Sequence, residues 1–128
     1  MIFLLNGGIH REQRLLSQDR IEEIHTPHEV EGSPYGPIVN PLTTLVAYCL
    51  GWIAHEYEGH KIVEHPGSNF GSSVVALLPK ENIGVFVSSN ATYSLDSDRM
   101  VSALKFTAFD YALGLEGRDW DKLLNGER

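Results

Sequence analysis

The strongest constraint on what this chain can fold into is a pair of apolar runs separated by a short polar turn. Ser72-Ser73-Val74-Val75-Ala76-Leu77-Leu78 leads through Pro79-Lys80-Glu81-Asn82 into Ile83-Gly84-Val85-Phe86-Val87, which ends in Ser88-Ser89-Asn90. Two short apolar runs joined in this way predict a β-hairpin. Both are apolar on successive residues, the pattern of strands covered on both faces. Just before them lies His65-Pro66-Gly67-Ser68-Asn69-Phe70-Gly71. A glycine-rich segment that opens on a histidine suits a place where backbone must approach a ligand closely.

The other elements follow from local signals. Met1-Ile2-Phe3-Leu4-Leu5 reads as the last turn of a helix stopped by Asn6-Gly7-Gly8. Isolated helices shorter than about 12 residues are marginal in water, so the chain is expected to start within an element, as a fragment does. Ser17-Gln18-Asp19-Arg20 caps a short helix through Ile21 and Ile24 that ends before Thr26-Pro27. From Pro27 to Pro41 the four prolines and two glycines predict a long loop. Leu45 to Glu56 reads as a strand containing Gly51, Glu58-Gly59 as a turn, and Lys61 to His65 as a short strand. A final helix opens at Ser94 or Asp96 and closes at Gly114. Met100, Leu104, Ala108 and Tyr111 mark one face of it, and Phe106, Phe109 and Leu113 another, so it asks for more partners than one sheet supplies. Trp52 and Trp120 are expected to be core anchors, and Cys49 a small buried hydrophobe.

Composition removes several function classes. The chain has 128 residues, enough for one domain, with 42% hydrophobic and 21% charged residues, which is ordinary for a globular protein. Its net charge is −7, and the 10 Lys and Arg form no block, so neither a nucleic-acid nor an anionic-membrane surface is expected. No apolar run approaches the roughly 18 residues that cross a bilayer. With Cys49 the only cysteine, no internal disulfide is possible.

At this point the residues carry a resemblance. Tyr48-Cys49-Leu50-Gly51-Trp52, His65-Pro66-Gly67, Gly71-Ser72 with Leu78-Pro79, Gly84-Val85 and the run ending at Asn90 resemble the C-terminal part of the serine β-lactamase-related family. That family includes class C β-lactamases, D-Ala-D-Ala carboxypeptidases and family VIII esterases. Phe3-Leu4-Leu5-Asn6-Gly7-Gly8, Arg14-Leu15-Leu16-Ser17, Gly114-Leu115 and Arg118-Asp119-Trp120 resemble its members too, so the likeness covers nearly the whole chain. It implies an α+β fold, an antiparallel β-sheet meander flanked by helices. Residues 1–128 would form the C-terminal portion of a β-lactamase/transpeptidase-like domain, without the N-terminal half that bears the nucleophile.

The resemblance also implies a chemistry. In such enzymes a serine, activated by a lysine three residues later, attacks a carbonyl to give an acyl-serine, and a Tyr-x-Asn motif assists proton transfer. The third motif, Lys-Thr-Gly or His-x-Gly, forms the opposite wall. Carried over, His65 would contact a substrate carboxylate or relay a proton. Gly67 would permit close approach, and the backbone N–H of Ser68 would face the oxyanion. Pro66 stands where the family usually has a small or hydroxylated residue, and it removes an N–H donor from the strand. The implied substrate is a small ester, peptide or amide, and no cofactor is implied.

The nucleophile is missing from this pattern. Ser102-Ala103-Leu104-Lys105 has the Ser-x-x-Lys form, but a single short match arises readily by chance. It also follows the His-x-Gly segment and lies inside the last helix, whereas the family places it first, at a helix start. Ser88-Ser89-Asn90 falls at a strand end, and no tyrosine is followed two residues later by asparagine. His55, His60 and His65 recur every five residues among Glu56, Glu58 and Glu64, a spacing unlike that of zinc sites, although a turn at Gly59 would let His55 and His65 approach each other. Two functions are therefore carried forward. One is the C-terminal segment of a serine hydrolase, inactive alone; the other is a non-catalytic interaction module derived from the same fold.

Overall fold

A computed structural model of the protein describes residues 1–31, 43, 45–92 and 94–126. The chain opens with a one-turn helix α1 (Ile2–Leu5), a small ribbon β1 (Ile9–His10) and β2 (Gln13–Arg14), and helix α2 (Gln18–Ile24). Six strands follow: β3 (Glu29–Glu31), β4 (Val46–Tyr48), β5 (Ile53–Tyr57), β6 (His60–Ser68), β7 (Ser72–Leu78) and β8 (Ile83–Ser88). They form one antiparallel sheet in sequence order, a meander. The long helix α3 (Leu95–Leu113) and the short α4 (Trp120–Leu124) close the chain. The α+β class and the antiparallel meander flanked by helices are thus as expected.

The β7–β8 hairpin has the expected bounds, with Leu78 opposite Ile83 and Asn82 at φ +57° turning the chain. Side chains alternate across each strand, and α3 covers one face. There Tyr57, Ile62, Val74, Ala76 and Leu78 pack against Val101, Phe106 and Phe109 of α3, and against Trp120 and Leu124 of α4. The helix starts where Ser94 Oγ accepts from the Ser97 N–H while Ser97 Oγ accepts from the Ser94 N–H, a reciprocal cap. It stops at Gly114, whose φ of +67° suits a residue without Cβ.

On the other face, Ala54, Val63 and Leu77 pack with Cys49, Trp52 and the Leu4 and Leu5 side chains of α1. This small lobe depends on Gly8, at φ +87°, where an added Cβ would meet the Leu16 carbonyl oxygen at 2.4 Å. The cover stops there. Leu77 is buried, but Phe86, two residues along β8 from Gly84, is 60% exposed. The expectation of strands covered on both faces therefore holds at one end of the hairpin and fails at the other.

Two further expectations are corrected. Leu45 to Glu56 is not one strand but β4 and β5, because Gly51 adopts φ +77° and the Cys49 N–H donates back to the Trp52 carbonyl at 2.7 Å, closing a tight turn. The loop expected from Pro27 includes the strand β3, paired with β4, and its later part lies outside the described residues. Trp120 is buried as expected, whereas Trp52 is half-buried.

Truncating the core should separate the two faces. Phe106→Ala, in the fully buried stack between Tyr57 and Trp120, is expected to cost about 3–5 kcal/mol. The exposed Phe86→Ala should stay within about 0.5 kcal/mol of the parent in urea unfolding.

Candidate functional site

The three residues nominated from sequence sit on neighbouring positions at the far end of β6. Ile62 and Glu64 point to the α3 side, so alternation sends Val63 and His65 to the other, more open face. His65 is exposed. Its Nδ1 lies 2.7 Å from the Pro66 carbonyl oxygen, which can only accept. That bond places a proton on Nδ1, so in the neutral ring Nε2 is the acceptor nitrogen. Gly67 lies opposite Ser73 and Ser68 opposite Ser72.

The two glycines of this segment are crowded differently, Gly67 by a side chain that can turn away and Gly71 by backbone that cannot. A Cβ at Gly67 would come within 2.6 Å of Ser73 Oγ, whose hydroxyl donates to the Gly67 carbonyl at 3.3 Å. A Cβ at Gly71 would stand 2.1 Å from the Ser89 carbonyl oxygen, so backbone passes directly over backbone there. Gly67, Ser68, Asn69, Ser73 and Ser88 help to line a cleft of about 400 Å3, with the exposed Phe70 at its mouth. Pairing of β6 with β5 ends at Ile53 opposite Glu64. From His65 to Ser68, β6 has β7 alone beside it among the described residues. Pro66 belongs to this half-free stretch, where a missing N–H is tolerated.

Behind the site is a fully buried charge cluster that sequence reasoning missed. Glu64 Oε2 accepts from the Lys105 ammonium at 2.6 Å, and Glu64 Oε1 lies 2.9 Å from His55 Nε2. The Lys105 Nζ also stands 4.1 Å above the centre of the Phe106 ring. Burial pushes the Glu64 carboxyl up, but the Lys105 charge and the His55 and Lys105 hydrogen bonds outweigh it and hold the group below the ordinary carboxylate range. The signal was present: Lys105 falls between Val101 and Phe109 at helical spacing, a charge on a buried stripe.

This cluster also decides the fate of Ser102-x-x-Lys105. Ser102 is completely buried, with no hydrogen-bond partner for its hydroxyl among the described residues, and Lys105 is committed to Glu64. No substrate reaches this pair without opening the core. The histidines likewise do not converge. His55 lies opposite Ile62 and turns inward to Glu64, His60 pairs with Glu81, and His65 lies on the opposite face beyond the last β5 pair. No group of three metal-ligating side chains is found among the described residues.

A second buried cluster anchors the helices. Asp110 accepts from the Tyr57 hydroxyl and, at 2.7 Å, from the Trp120 indole N–H. Burial and the Asp110 hydrogen bond drive the Tyr57 hydroxyl far above its ordinary range, so it stays a neutral donor. Arg118 pairs with Glu58 at 2.8 Å and lies over Trp120, 5.3 Å from the ring centre.

The chain is similar to two hydrolases. It is 34% identical over 85 residues to the unguisins hydrolase ungD of Aspergillus violaceofuscus (strain CBS 115571), covering 65% of this chain and 14% of that protein. It is 34% identical over 91 residues to the unguisins hydrolase ungD' of Aspergillus campestris (strain IBT 28561), covering 67% of this chain and 16% of that protein. The chain thus spans about one-seventh of the length of these relatives. No family model matches it, and no solved structure matches it. No helix among the described residues is long and apolar enough to cross a membrane.

Removing the buried carboxylate should be severe. Glu64→Gln is expected to cost about 3–5 kcal/mol in urea unfolding, and Glu64→Gln with Lys105→Met less, because the buried ammonium that faced the carboxylate is then gone as well. The pH dependence has a definite sign. With its carboxyl held low in the native state, Glu64 contributes stability above its unfolded value, and that contribution fades as pH drops below about 4. Unfolding midpoints measured down the acid limb should fall less steeply in Glu64→Gln than in the parent.

Proposed function

We propose that this chain forms one wall of the acyl-transfer site of a β-lactamase-related serine hydrolase. The observation that carries the reading is the display of His65-Pro66-Gly67 at the half-free end of β6, in a chain similar to named hydrolases over two-thirds of its length. His65 would present Nε2 to the substrate, as a hydrogen-bond partner for a carboxylate or as a proton relay. The absence of a side chain at Gly67 would let the scissile group lie against the strand. The Ser68 N–H would donate to the oxyanion that forms when a serine attacks the carbonyl. The acyl-serine ester then forms as the alcohol or amine leaves with a proton, and water hydrolyses the ester to a carboxylic acid.

In this reading that serine lies outside residues 1–128. The sealed position of Ser102 supports a nucleophile and its lysine contributed by another segment, and this chain alone should not turn over. Ester, peptide and amide bonds all fit the chemistry. The names of the relatives point to an unguisin as one substrate.

A second reading, a non-catalytic interaction module, is favoured by the outer stripe of α3. Leu104 is 53% and Tyr111 90% exposed, and Met100 is exposed beside them, so an apolar ribbon faces outward with nothing upon it among the described residues. A chain that is monomeric and unfolds cooperatively by itself would support this module.

The hydrolase reading is tested by a chimera. The matched stretch of the Aspergillus violaceofuscus protein is replaced by this chain, and hydrolysis of a p-nitrophenyl ester and of an unguisin is followed. The chimera should turn over, and His65→Ala should lower kcat about 100-fold or more. Ser102→Ala should leave the rate unchanged. A chimera equally active with His65→Ala would sink the reading, as would turnover by this chain alone that Ser102→Ala abolishes.

A further inference from the structure

A second pocket lies at the opposite end of β6 and β7 from His65. It has a volume of about 350 Å3 and sits between α1, α2 and the sheet, within the size range of small-molecule sites. Leu4 and Leu5 of α1, Ile21 of α2 and Leu77 of β7 give it an apolar floor. Lys61, at the start of β6, and Lys80, just past the end of β7, stand along one side.

The polar groups at this pocket are unevenly balanced. Glu22 supplies the one negative charge among its lining residues and already accepts from the Gln18 side-chain amide at 3.0 Å. Lys61 donates one of its three N–H groups to the His25 carbonyl at 2.6 Å, while Lys80 is exposed and joined by no ion pair to another described residue. Two lysines against one engaged carboxylate make a local positive site on a chain whose net charge is −7. His25 contributes a buried ring to the same wall. Its side chain lines the pocket and is only 6% exposed, and its Nε2 is buried without a hydrogen-bond partner among the described residues. The ring is held edge-on against Trp52, 5.3 Å between centres, so its orientation is fixed. Burial, and then the charge of Lys61, push the imidazole below the ordinary histidine range, so it remains neutral and able to donate or accept.

We propose that this pocket binds a small amphipathic carboxylate, its head group between Lys80 and Lys61 beside His25 and its apolar tail along Leu4, Leu5, Ile21 and Leu77. The charge imbalance selects an anion, and the apolar floor selects a short hydrocarbon tail over inorganic phosphate. This site is separate from the His65 end of the sheet and stands whether or not the acyl-transfer reading does. Acyl hydrolysis releases carboxylic acids, so the pocket suits a product of that reaction class acting away from the His65 wall.

Octanoate and octan-1-ol serve as probes, titrated into the purified chain and followed by amide chemical shifts. Octanoate should saturate one site with a Kd of about 1 mM or tighter, with shifts confined to residues of α1, α2 and the β7–β8 turn. Octan-1-ol should bind at least about fivefold more weakly, as should octanoate to Lys80→Glu. Gln18→Trp, which fills the mouth from an exposed helical position, should abolish saturation, and Lys122→Glu on α4 should change nothing. The proposal is overturned if octanoate does not saturate by about 10 mM. Equal binding of octan-1-ol, or undiminished binding to Lys80→Glu with Gln18→Trp also neutral, overturns it as well.

Discussion

The ion pair between Lys105 and Glu64 is the interaction on which the rest of this structure depends. Both groups are withdrawn from water completely, and their attraction at 2.6 Å offsets the cost of burying two charges. An apolar helix stripe can slide along an apolar sheet at small cost, but a buried ammonium has to end beside its carboxylate. The pair therefore selects one placement of α3 across the sheet. His55 reinforces it from β5, so three elements meet at a single carboxylate. Asp110 does the same work one turn of helix beyond Phe106, drawing Tyr57 and Trp120 together and seating α4.

The consequence for function is positional. Glu64 immediately precedes His65, and a strand that sends one side chain inward must send the next one outward. Anchoring Glu64 thus fixes the direction of the imidazole on the opposite face. Pairing with β5 ends at Ile53, so from His65 onward β6 is flanked by β7 alone among the described residues. Gly71 lets the connection to β7 press onto Ser89, and the Ser72 and Ser97 hydroxyls, 2.7 Å apart, tie the start of β7 to the start of α3. A rigid, buried support behind a partly open strand end is the arrangement expected of a group that must meet a ligand at a defined angle.

Much of the fold was legible because its signals are local. The hairpin of 72–78 and 83–88 follows from two apolar runs and a turn, the limits of α3 from Ser94 and Gly114, and α2 from Ser17. The expected strand over Leu45 to Glu56 fails on a single residue, since Gly51 inside an apolar run has a left-handed backbone that closes a turn, and β3 and the extension of β6 through Ser68 carry no apolar signal of their own. Coverage of β8 was overestimated because a run of apolar residues does not say whether a second layer reaches all of it, and α1 is too short to extend to Phe86.

The sequence by itself determined the class of fold, the hairpin at its centre, the exposed second stripe of α3 and the segment that carries His65, Gly67 and Ser68. The hairpin and the helix stripe are matters of periodicity and backbone preference, read over a few residues, whereas the fold class and the site segment rest on a family resemblance. Only the tertiary structure decided that Lys105 belongs to Glu64 rather than to Ser102, that His55 and His65 face opposite ways, and that Lys61, Lys80 and His25 surround one pocket. Those residues are separated by 9 to 41 positions in the chain where their contacts are direct. Their meeting depends on strand register and on where the helix comes to rest, which no local pattern encodes.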